Sequence, residues 1–192
     1  MEKTDAELVA DYISGDESAL LLLIERHVRP VYNFIYRFTG NRQDTDDITQ
    51  EGFVKMWKKI NTYKPDKKIR TWLFSIARNA SIDWLRKKKN FVFSDFERED
   101  ENDSFIENLT DPTPLPEELI EQAEKTNLLS HVLMQLPPFY REVLLLKYYQ
   151  HFTFEEISKI LEKSMNTVKS QHRRGLLLLR KLLDAPKKEQ VS

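Results

Sequence analysis

Cysteine is absent from the 192 residues, so the chain can form neither a disulfide nor a thiolate metal site. Histidine is scarce, and none of His27, His131, His151 and His172 follows an acid by three residues. That excludes the Glu-x-x-His pattern of di-metal bundles. No apolar run approaches the roughly 20 residues that a membrane span needs. The stretch Met1 to Ala10 carries acids where a signal peptide would be basic and then apolar. Together these absences predict a cytoplasmic protein with no membrane insertion, no metal and no cofactor.

What is present is a 40% hydrophobic share, enough for one ordinary domain or two small ones with true cores. The formal charge of -1 conceals a strong segregation. Residues 63–90 hold nine bases against Asp66 and Asp83, a balance of +7. Residues 91–124 hold twelve acids against Arg98 alone, a balance of -11, and residues 141–192 return to +5. Solvated helix faces would not sort charge in this way. Two basic blocks around an acidic one point to two polyanion-binding surfaces.

Apolar residues recur at three and four spacings through the first ninety residues, and strand-like alternation is nowhere sustained. Ser14-Gly15-Asp16 is placed to end a first short helix and cap the run Glu17 to His27. Gly40-Asn41 ends the next, and Lys64-Pro65-Asp66 makes a basic loop. From Asn90 the chain is acidic, and Pro112, Pro114 and Pro116 then resist helix. Helical periodicity resumes near Leu119 and, broken at Pro137-Pro138, runs to Leu183. The predicted fold is all-α: a helical bundle over 1–90, an acidic flexible linker over 91–124, a second helical domain over 125–185 and a tail over 186–192.

Thr153 and Glu156 form a capping box ahead of a helix whose apolar face is Phe154, Ile157, Ile160 and Leu161. Glu162-Lys163-Ser164 breaks it, and Ser164 can cap a second helix. On that helix Val168, His172, Gly175, Leu179 and Leu182 fall within about 80° of arc, which makes them its core side. Lys169, Ser170, Arg173, Arg174, Arg180 and Lys181 face the other way, as a major-groove helix requires. An ordinary amphipathic helix with a basic solvated face has the same pattern. His172, within the apolar arc and without a second ligand nearby, reads as a hydrogen-bonded core residue.

Two N-terminal segments carry further signals. In Asp44-Thr45-Asp46-Asp47-Ile48-Thr49-Gln50-Glu51-Gly52-Phe53-Val54-Lys55-Met56-Trp57 the acids suit the positive end of a helix, and neither a glycine-rich phosphate loop nor a candidate base supports a magnesium site. A helical wheel puts Phe53, Met56, Trp57 and Ile60 on the core face. Asp47, Glu51 and Lys58 stand opposite, flanked by Val54 and Ile48, a face suited to docking another helix. The second segment, Arg70 to Lys89, has two apolar stripes (Leu73, Ile76, Ala77, Ala80, Trp84; and Phe74, Ile82, Leu85), so its helix is expected at the centre of the bundle. Cations at its ends beside aromatic residues match the way single-stranded nucleic acid is held.

Glu155-Glu156-Ile157-Ser158 and Thr167-Val168-Lys169-Ser170, preceded by Leu136-Pro137-Pro138-Phe139-Tyr140-Arg141-Glu142-Val143-Leu144, resemble the fourth region of bacterial RNA polymerase sigma factors. Glu162 stands where a turn glycine is usual, Ser158 where alanine is, and Gln171-His172 where an arginine and an aliphatic residue are common. A left-handed Glu162 would cost roughly 1 to 2 kcal/mol. The two N-terminal segments resemble the second region, and the order of parts resembles the extracytoplasmic-function group, which keeps these two regions only.

The resemblance implies a non-catalytic subunit that binds core RNA polymerase and promoter DNA, duplex and single-stranded, under the control of an anti-sigma factor. By it, Asp44, Asp47, Ile48, Gln50, Glu51, Val54 and Lys58 meet the polymerase. Lys64, Lys67, Lys68, Arg70, Arg78, Asn79, Arg86 and Lys87 meet the melted minus-ten element. Ser164, Asn166, Thr167, Lys169, Ser170, Arg173 and Arg174 meet the minus-thirty-five element. A dimeric helix-turn-helix regulator with an N-terminal sensing domain would explain residues 125–185 as well, but not the second basic, aromatic-bearing element. An enzyme acting on nucleic acid ranks below both, because no nucleophile, base or metal constellation supports it. The linker's acidity suits it to occupying basic surfaces.

Overall fold

The computed structural model describes residues 2–63, 68–89 and 128–184, and the regular elements among them are helical. Helix α1 (Asp5–Ile13) starts at Thr4, whose hydroxyl accepts the Glu7 amide while the Glu7 carboxylate accepts the Thr4 amide. Helix α2 (Glu17–Thr39) starts at Asp16, which accepts the Ser18 amide. It ends at Gly40, whose φ of 74° costs nothing only without a Cβ. The expected break after His27 does not occur, and Pro30 lies inside one continuous helix. Proline removes a single backbone hydrogen bond there, while Val31, Phe34, Ile35 and Phe38 beyond it are all buried and hold the helix in register.

Asn41 caps α3 (Arg42–Lys59) by accepting the Asp44 amide, and a short 3₁₀ turn, Ile60–Thr62, follows. Helix α4 (Ile69–Lys89) lies against α2 and α3. The C-terminal half comprises α5 (Leu128–Gln135), α6 (Pro138–Leu144), a π-turn over Leu145–Tyr149, α7 (Phe154–Leu161) and α8 (Met165–Asp184). Two helical units, the second ending in a helix-turn-helix, are as expected. The basic loop residues 64–67, the acidic linker 91–124 and the tail 186–192 lie outside the described residues. Among the described residues no helix is long and apolar enough to cross a membrane.

The buried apolar residues of both halves form a single cluster. Phe74 of α4 is its hinge: its ring sits 5.5 Å from Phe34 of α2 and 5.0 Å, edge-on, from Phe152 of the C-terminal half. The aromatic stripe that makes α4 central to the bundle therefore also docks the second unit.

Arg141 fixes the geometry of that docking. Its guanidinium is buried, with no carboxylate against it among the described residues, and donates to the carbonyls of Leu133, Met134 and Leu136 around the α5–α6 turn at 2.8 Å each. A fourth bond, 2.6 Å, reaches the Phe38 carbonyl at the C-terminus of α2. There the positive charge also meets the negative end of the helix dipole. Burial pulls the guanidinium down to about 10, so it stays charged at neutral pH. Arg141→Met strands four carbonyl acceptors. Part of that cost is recovered by no longer burying a charge, and a net loss of about 3 kcal/mol is expected. A lowered urea midpoint with an unchanged slope checks it.

Candidate nucleic-acid interface

The helix-turn-helix is built from two caps and one left-handed residue. Thr153 accepts the Glu156 amide and its own amide donates to the Glu156 carboxylate, the capping box that starts α7. Glu162 ends α7 at φ 55°, ψ 37°, the left-handed conformation foreseen for a position where glycine is usual, and its amide still reaches the Ser158 carbonyl. Ser164 then accepts the Thr167 amide at 3.1 Å and starts α8.

Helix α8 buries Val168, Gln171, Gly175 and Leu179. A Cβ on Gly175 would come within 3.3 Å of Tyr140 and 3.4 Å of Leu144, so glycine allows α8 to approach α6 closely. Ser164, Asn166, Thr167, Lys169 and Arg173 are exposed, and Ser170 and Arg174 are half-buried. The wheel needs one correction. Gln171 is the deeper residue, whereas His172 is half-buried between Tyr148, whose hydroxyl lies 3.0 Å from Nε2, and the edge-on ring of Phe154. Burial pushes the His172 imidazole down to about 4, and the Lys147 ammonium adds to the shift.

On α4 the cations expected at single-stranded DNA divide into two groups. Asn79, Arg86 and Lys87 are exposed. Lys68, Arg70 and Arg78 are engaged by the C-terminal half. Arg78 donates through Nε and Nη2 to both carboxylate oxygens of Glu142, at 2.8 and 3.2 Å. Arg70 donates to the Gln150 carbonyl at 2.5 Å and lies 4.3 Å from the Phe152 ring centre. Lys68 pairs with Glu156 at 2.8 Å. Burial alone would raise the Glu156 carboxyl, but hydrogen bonds from Lys68 and Thr153 outweigh it and hold the group down at about 2. Lys64 and Lys67 fall outside the described residues. Glu142 and Gln150 were not singled out from sequence. The available signal was the pair Arg141-Glu142 inside the otherwise apolar and aromatic run Phe139 to Leu146, where a buried charge requires a partner.

Helix α3 departs most from its wheel. Its buried stripe is Thr45, Ile48, Thr49, Gly52 and Met56, so Ile48 (2% exposed) is a core residue rather than a flank of the outer face. Trp57, expected in the core, is 51% exposed and donates its indole N–H to Tyr12 Oη at 2.8 Å. Small polar residues line the seam, and a wheel weighted by hydrophobicity rotates away from them. Asp47, Gln50, Glu51, Val54 and Lys58 share the solvent side, with Asp44 half-buried at its start.

Two family descriptions match the chain: Sigma-70 region 2 over residues 23–91, and Sigma-70, region 4 over residues 126–179. The ECF RNA polymerase sigma factor SigW of Bacillus subtilis is 32% identical over 184 residues, covering 95% of this chain and 98% of that protein. The ECF RNA polymerase sigma factor SigM of the same organism is 31% identical, covering 77% of this chain and 85% of that one. Among solved structures, CnrH in complex with the cytosolic domain of CnrY superposes with a TM-score of 0.69 at 24% identity, over 95% of this chain and 98% of that one.

The His172 environment sets a pH dependence. Its folded pKa lies below the unfolded value of about 6.5, so its stabilising effect is complete above that pH and is lost as the pH falls toward 4. Because the ring is only partly shielded, the loss by pH 5 is expected at roughly 1 kcal/mol. His172→Leu should remove this part of the stability change between pH 7 and 5, measured by urea unfolding at each pH.

Proposed function

This chain belongs to the extracytoplasmic-function (ECF) sigma factors, which direct promoter-specific initiation through regions 2 and 4, and we propose the following division of labour among its residues. Helix α8 reads the minus-thirty-five element in the major groove. Lys169 and Arg173 supply the principal donors, Ser170 and Arg174 flank them, and Ser164, Asn166 and Thr167 at the helix start hold phosphates. The observation that carries this reading is the exposed basic face of a helix whose other face is locked into the core by Val168, Gly175 and Leu179. The alternative of a dimeric regulator with a sensing domain is overturned by the match of the N-terminal half to region 2.

The α4 surface holds the melted minus-ten strand. Lys64, Lys67, Lys68, Arg70, Arg78, Arg86 and Lys87 track its backbone, and Asn79 faces the bases. The solvent side of α3, with Asp44, Asp47, Gln50, Glu51, Val54 and Lys58, docks on core polymerase, while Ile48 supports that surface from beneath. Domain limits at 1–90 and 125–185, with a linker over 91–124 and a tail over 186–192, suit this division. The protein is not an enzyme, and the chemistry belongs to the polymerase. Its place of work is the cytoplasm, where polymerase and chromosome are. CnrH has been solved with the cytosolic domain of CnrY, and the sigma factor RpoE of Bartonella quintana with the anti-sigma factor NepR. A proteinaceous inhibitor of the same kind is proposed for this chain.

Transcription with purified bacterial core enzyme tests the reading. Wild type should confer promoter-specific initiation on a core that lacks it. Arg173→Ala or Lys169→Ala should weaken binding to the upstream element by roughly 1 to 3 kcal/mol where a base contact is lost, and by less for a phosphate contact, with helix content unchanged. Combined reversal of Asp47 and Glu51 to lysine should abolish competition for core and spare DNA binding by α8. Unchanged promoter affinity in both α8 variants would remove that helix as the reader.

A further inference from the structure

Met165 is the first residue of α8 and takes no part in the core. Its side chain is 46% exposed, and among the described residues no other large apolar side chain of the C-terminal half is exposed. A lone apolar residue on a surface is ordinary. This one belongs to a ridge. Lys169 and Arg173 follow it by four and eight positions, displaced by about 40° and about 80° of arc at 100° per residue. Met165 therefore heads the row of donors that the proposed function turns toward DNA.

The local backbone presents it there. The Lys163 amide reaches the Ser158 carbonyl at 3.1 Å, closing the turn around the left-handed Glu162. Ser164 Oγ accepts the Thr167 amide, and the Ser164 and Thr167 hydroxyls lie 2.8 Å apart. Val168 is buried and fixes the helix from behind. The cap thus occupies the Ser164 and Thr167 hydroxyls and leaves Met165 and Asn166 as exposed side chains of the first turn that it does not engage.

A helix-turn-helix sets the N-terminal residues of its second helix against base edges. Asn166 can pair with such an edge through hydrogen bonds, whereas a thioether has no donor and is a weak acceptor. The major groove offers an apolar side chain one partner, the C5-methyl group of thymine. Methionine suits that partner, because an unbranched side chain with a polarizable sulfur adapts its shape to what it meets.

We infer that Met165 is a specificity-determining residue of α8, reading a thymine of the minus-thirty-five element through its C5-methyl group. This role rests on the assignment of α8 to that element. Four residues of helix rise about 6 Å and base pairs are spaced about 3.4 Å, so the thymine lies within about two base pairs of the pair that meets Lys169.

The test uses holoenzyme assembled from the full chain and bacterial core polymerase, on a promoter that it selects from duplexes randomised across the upstream element. Each thymine of that element, on either strand, is then replaced singly by uracil, which removes the methyl group and keeps the base pair. At one position the wild type should lose about fourfold in affinity, the worth of one buried methyl group. Met165→Ala should bind the unmodified promoter about fourfold more weakly and ignore uracil at that position, with helix content unchanged. Met165→Leu, which keeps an apolar contact, should retain most of the discrimination. A selected element without an A·T pair, no uracil cost at any position for the wild type, or a cost that persists undiminished in Met165→Ala would overturn the role of Met165. Arg173→Ala, measured alongside, separates this from failure of the α8 assignment: weakened binding in that variant leaves the assignment standing whatever Met165 does, whereas unchanged affinity in both alanine variants overturns the two together.

Discussion

Helix α4 has two obligations, and the rest of the molecule is arranged around their conflict. Its apolar stripes must be buried, since Leu73, Phe74, Ala77, Ala80, Ile82 and Leu85 would otherwise face water. Helices α2 and α3 pack on that surface from the N-terminal half and α7 from the C-terminal half, with Phe152 edge-on against Phe74. The same helix carries the cations that the proposed function assigns to a single strand. Burying the second stripe therefore brings the C-terminal acceptors within reach of Lys68, Arg70 and Arg78. Hydrophobic docking and charge neutralisation act as one contact.

Free energies of opposite character hold that contact. The Phe74–Phe152 pair and its neighbours are insensitive to salt, whereas Lys68–Glu156, with an ammonium 78% exposed, is screened readily and contributes little. The buried Arg78–Glu142 pair lies between these extremes. Its net stabilisation is modest, because both charges are desolvated to make it, but removing one member leaves the other stranded. Arg141 serves the opposite end, because its bond to the Phe38 carbonyl orients the C-terminal half without involving any cation that DNA would need.

Much of this was legible in the residues. Caps gave the helix starts at Glu17, Phe154 and Met165, because Ser, Thr, Asp and Asn signal through local backbone hydrogen bonds that need no tertiary partner. The strained Glu162 was visible for the same reason: a turn's φ is a local demand. Seams lined by small polar residues were not legible. Thr45, Thr49 and Gly52 let α3 pack closely yet score as surface, and so Ile48 was set outside and Trp57 inside. Pro30 does not end α2, because enough buried contact on both sides outweighs one lost hydrogen bond. The partners of Arg70 and Arg78 lie 80 and 64 residues away. No periodicity reports a pairing at that separation, and only Glu142, a charge next to Arg141 in a run of apolar and aromatic residues, hinted at it.

The most direct measurement is transcription from one promoter by purified bacterial core polymerase, supplied with this chain or with its Arg173→Ala variant. Promoter-specific initiation with the wild-type chain, weakened in the variant at unchanged helix content, is the expected result. Initiation that the wild-type chain leaves non-specific would contradict the account.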